Sequence, residues 1–321
     1  MPPPARAEGL SLGPVHFGVS GADRFLVTGA LGCIGAWVTA LLVREGVSVV
    51  AYDLGSDDQR LRLIASPEEL AAVTFVRGDV TDLDQLRSTL DEHAITHMVH
   101  LAALQVPFVK ANPTLGARVN VVGTVNVLEA AARHGLRTPV AYASTAAVYD
   151  ATGDRVPGTL YGVFKLANEG TARVYWTDEG VASVGIRPFV VFGPGRDQGL
   201  TSGPTLAMQA ASRGNPYHIA FGGRTELHYA PDVARAFIAA ARSEPTGAHA
   251  YDFPGEPVAL SEVVAAIETA IPEATGLVTF DDAPLPFPEA LPGERLDAPT
   301  TPLQQAVQDT IELFRAADQR A

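Results

Sequence analysis

From Arg24 onward, two hydrophobic patterns alternate along the chain. Short runs such as RFLVT (24–28), VSVVAYD (47–53), VTFVRGD (73–79), THMVHLAA (96–103), PVAYAST (139–145) and ASVGIRP (182–188) are apolar with little alternation. That pattern suits strands buried on both faces. Between them lie CIGAWVTALLVREG (33–46), TDLDQLRSTLDEH (81–93) and two longer segments, 113–134 and 159–179, which read as helices. The first closes at Gly46, a helix C-terminal residue. The second starts from an N-cap at Thr81 or Asp82, and the third carries Pro113 in its first turn. Strands alternating with helices at this spacing predict β-α-β units and a doubly wound parallel sheet, an α/β fold.

After Arg187 the rhythm changes: Pro and Gly become dense and the helical segments shorten. The pattern divides the chain into a loosely ordered lead-in (1–23), a sheet domain (24–187) and a smaller cap (188–321). Within that last stretch, the helix at 231–242 and a strand at 248–253 are expected to return to the sheet domain, and the Pro-rich segment 283–292 reads as a surface loop.

Composition narrows the function classes. Of the 321 residues, 47% are hydrophobic and 18% charged, ordinary values for a soluble enzyme. The 36 acids against 23 bases leave a net charge of -13, and a negative field of that kind repels polyphosphate backbones, so nucleic acid is not an expected partner. No run of 18 apolar residues exists, so no membrane span is expected. The opening residues carry no secretory signal pattern, and the cytoplasm is the expected compartment. A single cysteine, Cys33, excludes an internal disulfide framework, and the 8 histidines show no paired-ligand spacing, so no metal is expected.

The first strand leads directly into Gly29-x-x-Gly32-x-x-Gly35 and a helix, and Asp53 closes the second strand 18 residues after Gly35. In that order the first glycine permits the turn, the second admits a pyrophosphate to the backbone, and the third lets helix and strand pack closely. The phosphates would sit on free N–H groups at the helix N-terminus. A carboxylate at Asp53 accepts from a ribose 2′-hydroxyl and repels a 2′-phosphate, which favours NAD over NADP. The next residues, LGSDD, supply no arginine, and Arg60 and Arg62 lie several positions on. Asp79 and Val80 end the third strand where an adenine ring would lie, although Asp79 also suits a turn or helix cap.

Further ordered motifs follow: TGALGCIG (28–35), GDVTD (78–82), HLAA (100–103), NVVGTVNVLEAA (120–131), YASTAAVY (142–149), YGVFK (161–165), RPFVVFGPGR (187–196) and DVARAF (232–237). On these motifs, spanning Phe25 to Val233, the chain resembles the extended short-chain dehydrogenase/reductases, the NAD-dependent epimerase/dehydratase group. The resemblance implies a seven-stranded Rossmann domain with a substrate cap, and a homodimer formed through the helices at 113–134 and 159–179. It also implies that Cys33 and Ile34 contact the pyrophosphate and that Leu101, Ala102 and Ala103 line the nicotinamide ribose. Asn120 is implied to be structural or cofactor-supporting, Thr145 to bond the reacting oxygen, and Pro188 to lie beside the nicotinamide.

The residues supply chemistry consistent with this resemblance. Tyr161 and Lys165 stand four apart, on one face of a helix. A free tyrosine is a poor base at neutral pH, and a neighbouring ammonium lowers its pKa. Lys165 can also reach the ribose hydroxyls. Thr145 offers a second hydrogen bond to a substrate oxygen, with Ser144 as the fallback, and Arg196 is a candidate grip for a substrate oxygen or carboxylate. Phe108, Phe164, Phe189, Phe192 and Trp176 are either pocket lining or core, and His218 and His228 are polar candidates in the cap.

Departures from the group's pattern refine the expectation. Ala146 and Ala147 stand where dehydratases carry acids. Val190 and Thr225 stand where nucleotide-sugar epimerases carry Asn and Arg, and whether the adjacent Arg224 substitutes is left open by the sequence. The stretch from Thr145 to Tyr161 is also short. The expected function is hydride transfer at a secondary alcohol or ketone of a small polyol, sugar or sugar acid. A sugar epimerase that takes and returns the same hydride is the alternative, and a non-catalytic NAD-binding sensor is a third reading.

Overall fold

The computed structural model describes residues 23–244 and 246–319. The loosely ordered lead-in expected at 1–23 lies, apart from Asp23, outside the described residues. The first half runs β1 (Arg24–Thr28), α1 (Cys33–Arg44), β2 (Ser48–Asp53), α2 (Gln59–Ile64), α3 (Pro67–Ala71), β3 (Val73–Arg77), α4 (Leu83–Glu92), β4 (His97–His100), α5 (Val106–Ala111), α6 (Pro113–Ala117), α7 (Gly123–His134) and β5 (Val140–Ala143). It continues with α8 (Leu160–Glu179), β6 (Ser183–Arg187), β7 (Val190–Phe192), α9 (Gly203–Ser212), β8 (Tyr217–Ile219), β9 (Arg224–Tyr229), α10 (Ala230–Ala241) and β10 (Ala248–Asp252). The last elements are β11 (Pro257–Ala259), α11 (Leu260–Ala270), β12 (Val278–Phe280) and α12 (Leu303–Asp318).

Seven strands form one sheet in the order β10-β6-β5-β4-β1-β2-β3, and every pairing in it is parallel. Successive side chains explain why both faces are covered. Phe25 and Val27 turn to the core beneath α1 and α10, while Leu26 turns to the core beneath α4 and α7. Val49 and Ala51 repeat the first direction, and Val50 and Tyr52 the second. From β1 the chain crosses to β2 and then β3 on one side, and the crossover from β3 returns to place β4 on the other side of β1, which opens a crevice at the strand C-termini.

Helix α10 packs against α1, and β10 becomes the sheet edge beside β6, so both belong to this layer. The remaining cap builds its own core. Phe192, Met208, Ile219, Leu260, Ile267 and Phe314 come together there, with a three-stranded sheet (β11-β9-β7) and a two-stranded one (β12-β8).

Two expectations change. The helix predicted over 113–134 contains a π-helical turn at Arg118–Val122, where Gly123 N–H bonds the Arg118 carbonyl. The Pro-rich segment 283–292 is not simply a surface loop. Leu285 and Leu291 are buried, and the Leu291 N–H donates to Glu226 at 2.8 Å. Its apolar residues, spaced irregularly between prolines, match neither a helical nor a strand period, so the pattern hides their burial.

Candidate active site

A cavity of about 560 Å³ opens at the crevice between β1 and β4. The glycine-rich turn forms its floor, and sterics explain the residue choice. Gly29 has φ +70, and a Cβ there would lie 2.6 Å from the Ala102 nitrogen. A Cβ on Gly35 would lie 2.1 Å from the Gly29 carbonyl oxygen. Gly32 is the N-cap of α1 and provides no side-chain cap, so the first-turn N–H groups of Cys33, Ile34 and Gly35 lack intrahelical partners. All five residues border the cavity. Burial pushes the Cys33 thiol up to about 11 and keeps it protonated.

Asp53 lies at the end of β2, where its carboxylate accepts the N–H groups of Leu31 and Gly55, each at 3.0 Å. Asp79 and Val80 also border the cavity. The Asp79 side chain accepts from Thr81 N–H at 2.8 Å, so the turn role holds together with the bordering position. Asp82, one of the two expected N-caps, takes the Gln85 N–H at 3.0 Å.

Leu101, Ala102 and Ala103 form the wall after β4. His100 just before them is buried, 2.7 Å from Thr28 Oγ1 and 3.1 Å from Thr124 Oγ1. Thr124 donates its proton to the Asn120 carbonyl, so His100 donates through Nε2 and accepts at Nδ1. Burial and the Lys165 charge push this imidazole down to about 3. Asn120 does not reach the cavity. Its amide bonds both backbone groups of Leu104, at 2.7 and 2.9 Å, and its carbonyl accepts from Asn168 at 2.8 Å. It therefore holds the wall rather than lining it.

The opposite end collects Thr145, Tyr161, Lys165, Pro188 and Arg196. Helix α8 starts from Thr159, whose Oγ1 accepts the Gly162 N–H at 3.1 Å. Gly162 is needed for close packing, because a Cβ there would stand 2.1 Å from the Ala147 carbonyl oxygen. That contact brings Tyr161 to Thr145, whose hydrogen bond favours the phenolate. Thr145 Oγ1 also accepts from Ala147 N–H at 3.2 Å.

Lys165 is 2% exposed. Its Nζ donates to the Ala143 carbonyl at 2.7 Å and lies 5.8 Å from the Tyr161 ring centroid. Burial pushes it down to about 8. The expectation that Lys165 lowers the Tyr161 pKa is corrected here: burial raises the phenol, and the opposing groups are Arg196 and Thr145. Lys165 is aimed at a backbone carbonyl instead of the phenolic oxygen.

Ser144 borders the cavity, but its hydroxyl is committed to Glu169 at 2.6 Å. This is part of a buried network that no short motif reveals. Arg187 grips Glu169 with Nε and Nη2, at 2.7 and 2.9 Å, and reaches Asp252 at 3.0 Å, where Tyr149 also donates. Arg155 pairs with Glu169 from the outside.

Of the aromatic candidates, Phe108 and Phe189 border the cavity, while Phe164, Phe192 and Trp176 do not. Phe189 instead meets Phe287 edge-on, with centroids 5.7 Å apart, and Phe287 comes from the Pro-rich segment. His218 is exposed beside Thr279 and Asp281, and His228 is buried against Glu226, so neither faces the cavity. Val190, Thr225 and Arg224 are also away from it, and Arg224 bonds Glu262 on the surface. Gln105 and Asp197, which no motif marks, also border the cavity, and Arg60, which follows Asp53 in the sequence, borders it paired with Asp197. Among the described residues no cluster suited to a metal occurs, and no helix is long and apolar enough to cross a membrane.

Comparison with known proteins agrees with this geometry. The profile of the NAD dependent epimerase/dehydratase family matches residues 25–253. UDP-glucuronate 4-epimerase 2 of Arabidopsis thaliana is 34% identical over 182 residues, covering 53% of this chain and 42% of that protein. The match thus spans somewhat less than half the length of that relative. The UDP-glucose 4-epimerase of Thermus thermophilus, solved in complex with NAD, is 26% identical, with a TM-score of 0.69 over 92% of this chain and 99% of the other. The L-threonine dehydrogenase of Clostridium difficile, at 20% identity, shares the fold, with a TM-score of 0.80 over 92% and 98% of the two chains. With strand order, glycine-rich turn and motif order all in agreement over most of its length, the chain belongs to the NAD dependent epimerase/dehydratase family.

Proposed function

We propose that this protein is an NAD-dependent oxidoreductase that transfers hydride at a secondary alcohol or ketone of a small polyol, sugar or sugar acid. The observation that carries this reading is where the cavity ends. Among the described residues beyond Thr201, Phe287 alone borders it, so most of the cap contributes no wall against which a nucleotide handle would rest. The absence of the Asn and Arg residues expected of nucleotide-sugar epimerases supports the same reading.

The cofactor fits the residues present. The three glycines leave space that a Cβ would fill, the N-terminus of α1 offers free N–H groups, and each Asp53 oxygen retains lone pairs for ribose hydroxyls. Bound NAD supplies the hydride acceptor. Tyr161 takes the hydroxyl proton during oxidation and returns it during reduction. Its raised pKa keeps the phenol protonated until substrate arrives, and Thr145 and Arg196 favour the ionised form at the moment it is needed. Lys165 spends one of its three N–H donors on Ala143, which leaves donors for the ribose. Arg196 has a buried Nε with no hydrogen-bond partner among the described residues, a position suited to a substrate carboxylate.

The alternative is a sugar epimerase, favoured by the relatives named UDP-glucuronate 4-epimerase. Incubation with NAD and a panel of polyols, sugars and sugar acids separates the two. Accumulating NADH supports the dehydrogenase, whereas a stereoisomer formed without NADH supports the epimerase and overturns the first reading.

A homodimer is part of the same proposal. Leu160, Val163 and Val174 on α8, with Leu115 and Val122 nearby on the helix through 113–134, leave apolar side chains exposed on adjoining helices. Such a face suits a second copy of the chain.

A further inference from the structure

We propose that Asp197 is a specificity-determining residue: by engaging Arg60, it keeps that guanidinium from receiving a 2′-phosphate and so holds the pocket to NAD. The inference rests on the reading of the cavity as a dinucleotide site.

Three cationic side chains border the cavity: Lys165, Arg196 and Arg60. The first two belong to the end with Tyr161. Arg60 lies beside the glycine-rich turn, and Leu31 fixes its position. The Leu31 N–H donates to Asp53 at 3.0 Å, and Arg60 Nη1 donates to the Leu31 carbonyl at 3.2 Å. The carboxylate and the guanidinium therefore flank the same residue of the glycine-rich turn. A guanidinium beside the ribose-binding acid is the group that accommodates a 2′-phosphate, by charge and by its planar pair of donors.

Asp197 occupies those donors. It comes from the other side of the cleft, 137 residues away, and takes Arg60 Nε at 3.0 Å and Nη2 at 2.8 Å. Its loop is pinned in place, because buried Trp37 donates to the Pro194 carbonyl at 2.9 Å. Asp197 also neutralises the cation, so a 2′-phosphate would meet a satisfied ion pair and the Asp53 carboxylate. The Asp197 side chain is half exposed, so water screens the pair, and the expected effect is about fivefold rather than several orders of magnitude.

The test is titration of NAD and NADP into the full chain as wild type, Asp197→Ala, Asp197→Asn, Arg60→Ala and the Arg60→Ala/Asp197→Ala double variant. Both Asp197 variants are expected to shift the affinity ratio about fivefold toward NADP. Arg60→Ala alone should not shift it that way, and the double variant should lose the gain. An unchanged ratio in both Asp197 variants overturns the proposal. So does a gain that survives in the double variant, since the cause would then be the loss of negative charge alone. A wild-type chain that binds neither dinucleotide overturns the reading of the cavity and, with it, this proposal.

Discussion

Lys165 stands one helical turn from Tyr161, its ammonium nitrogen 5.8 Å from the ring centroid, and is hydrogen-bonded to the Ala143 carbonyl rather than to the phenol. In the proposed reading the two groups divide the work: Tyr161 would handle the proton, while Lys165, which holds the strand end, would also hold the ribose. Tyr161→Phe removes only the oxygen. Turnover should fall about 10³-fold, the range of a lost general acid/base, while NAD affinity stays within about threefold, since Tyr161, expected to touch the cofactor as well, is one contact among many. Initial-rate assays and dinucleotide titration check this, and full activity in the variant would remove Tyr161 from the chemistry.

Burial sets a pH signature for Lys165. Its folded pKa is about 8, below the value of 10.5 for the free group. Between these limits the unfolded chain holds a proton that the folded chain has released, so stability rises with pH across that window and is lost again as pH falls through about 8. Relative to Lys165→Met, the wild type should gain about 3 kcal/mol between pH 8 and 10.5, at 1.36 kcal/mol per pKa unit. Urea unfolding of both proteins across that range measures it. A parallel pH dependence would mean that Lys165 is not desolvated. Turnover should be lost in the variant even though its stability at neutral pH is not lower.

Much of this site is legible in the sequence because local sterics demand it. Gly29, Gly35 and Gly162 stand where a Cβ would strike backbone 2.6, 2.1 and 2.1 Å away, so close packing leaves a one-letter trace. The inner strands are legible because burial on both faces removes polar alternation, whereas β3 at the sheet edge is apolar in sequence yet largely exposed. What depends on long-range pairing leaves no such trace. Arg60 and Asp197 are 137 residues apart, Arg187 and Asp252 are 65, and neither pair has a spacing rule. Phe287 is hidden among prolines, and the π turn at Arg118–Val122 is a change of hydrogen-bond register that hydrophobic period does not encode. The Tyr161 pKa follows from burial and from Arg196, and neither is visible in the Tyr-x-x-x-Lys spacing.

Asp53 is the acid proposed to select the ribose. Its oxygens already accept from Leu31 and Gly55, so it both shapes the turn and presents remaining lone pairs to the cofactor. Asp53→Ala should weaken NAD binding about tenfold, the weight of a hydrogen bond to a charged group, and weaken NADP binding less. Parallel titrations give the ratio, and an unchanged NAD/NADP ratio would overturn the role assigned to Asp53.

The buried pair Glu169–Arg187 stabilises the strand end that presents Thr145. Glu169 and Arg187 are each 3% exposed, and Glu169 also accepts from Ser144. Glu169→Ala strands the Arg187 guanidinium against one remaining acid, Asp252, and should cost about 3–5 kcal/mol of stability. Ser144→Ala removes one hydrogen bond and should cost about 1 kcal/mol. Urea midpoints distinguish the two. If the two variants lose stability equally, the ion pair carries no more weight than the hydroxyl.

Arg196 tests the substrate class. Its Nη2 donates to Thr201 at 3.2 Å, which fixes the plane of the guanidinium, while the buried Nε has no partner among the described residues. An unsatisfied buried donor costs free energy, so the site gains most from a ligand that brings an anionic oxygen. Arg196→Ala should therefore raise KM for sugar acids about 10- to 100-fold, the loss of a charge-assisted hydrogen bond. It should raise KM much less for neutral polyols, which offer no carboxylate. Because Arg196 also opposes the rise of the Tyr161 pKa, the pH at which the oxidation rate rises should move upward in the variant. Equal KM effects on charged and neutral substrates would show that Arg196 acts through Tyr161 alone, and would remove the carboxylate from the proposed substrate.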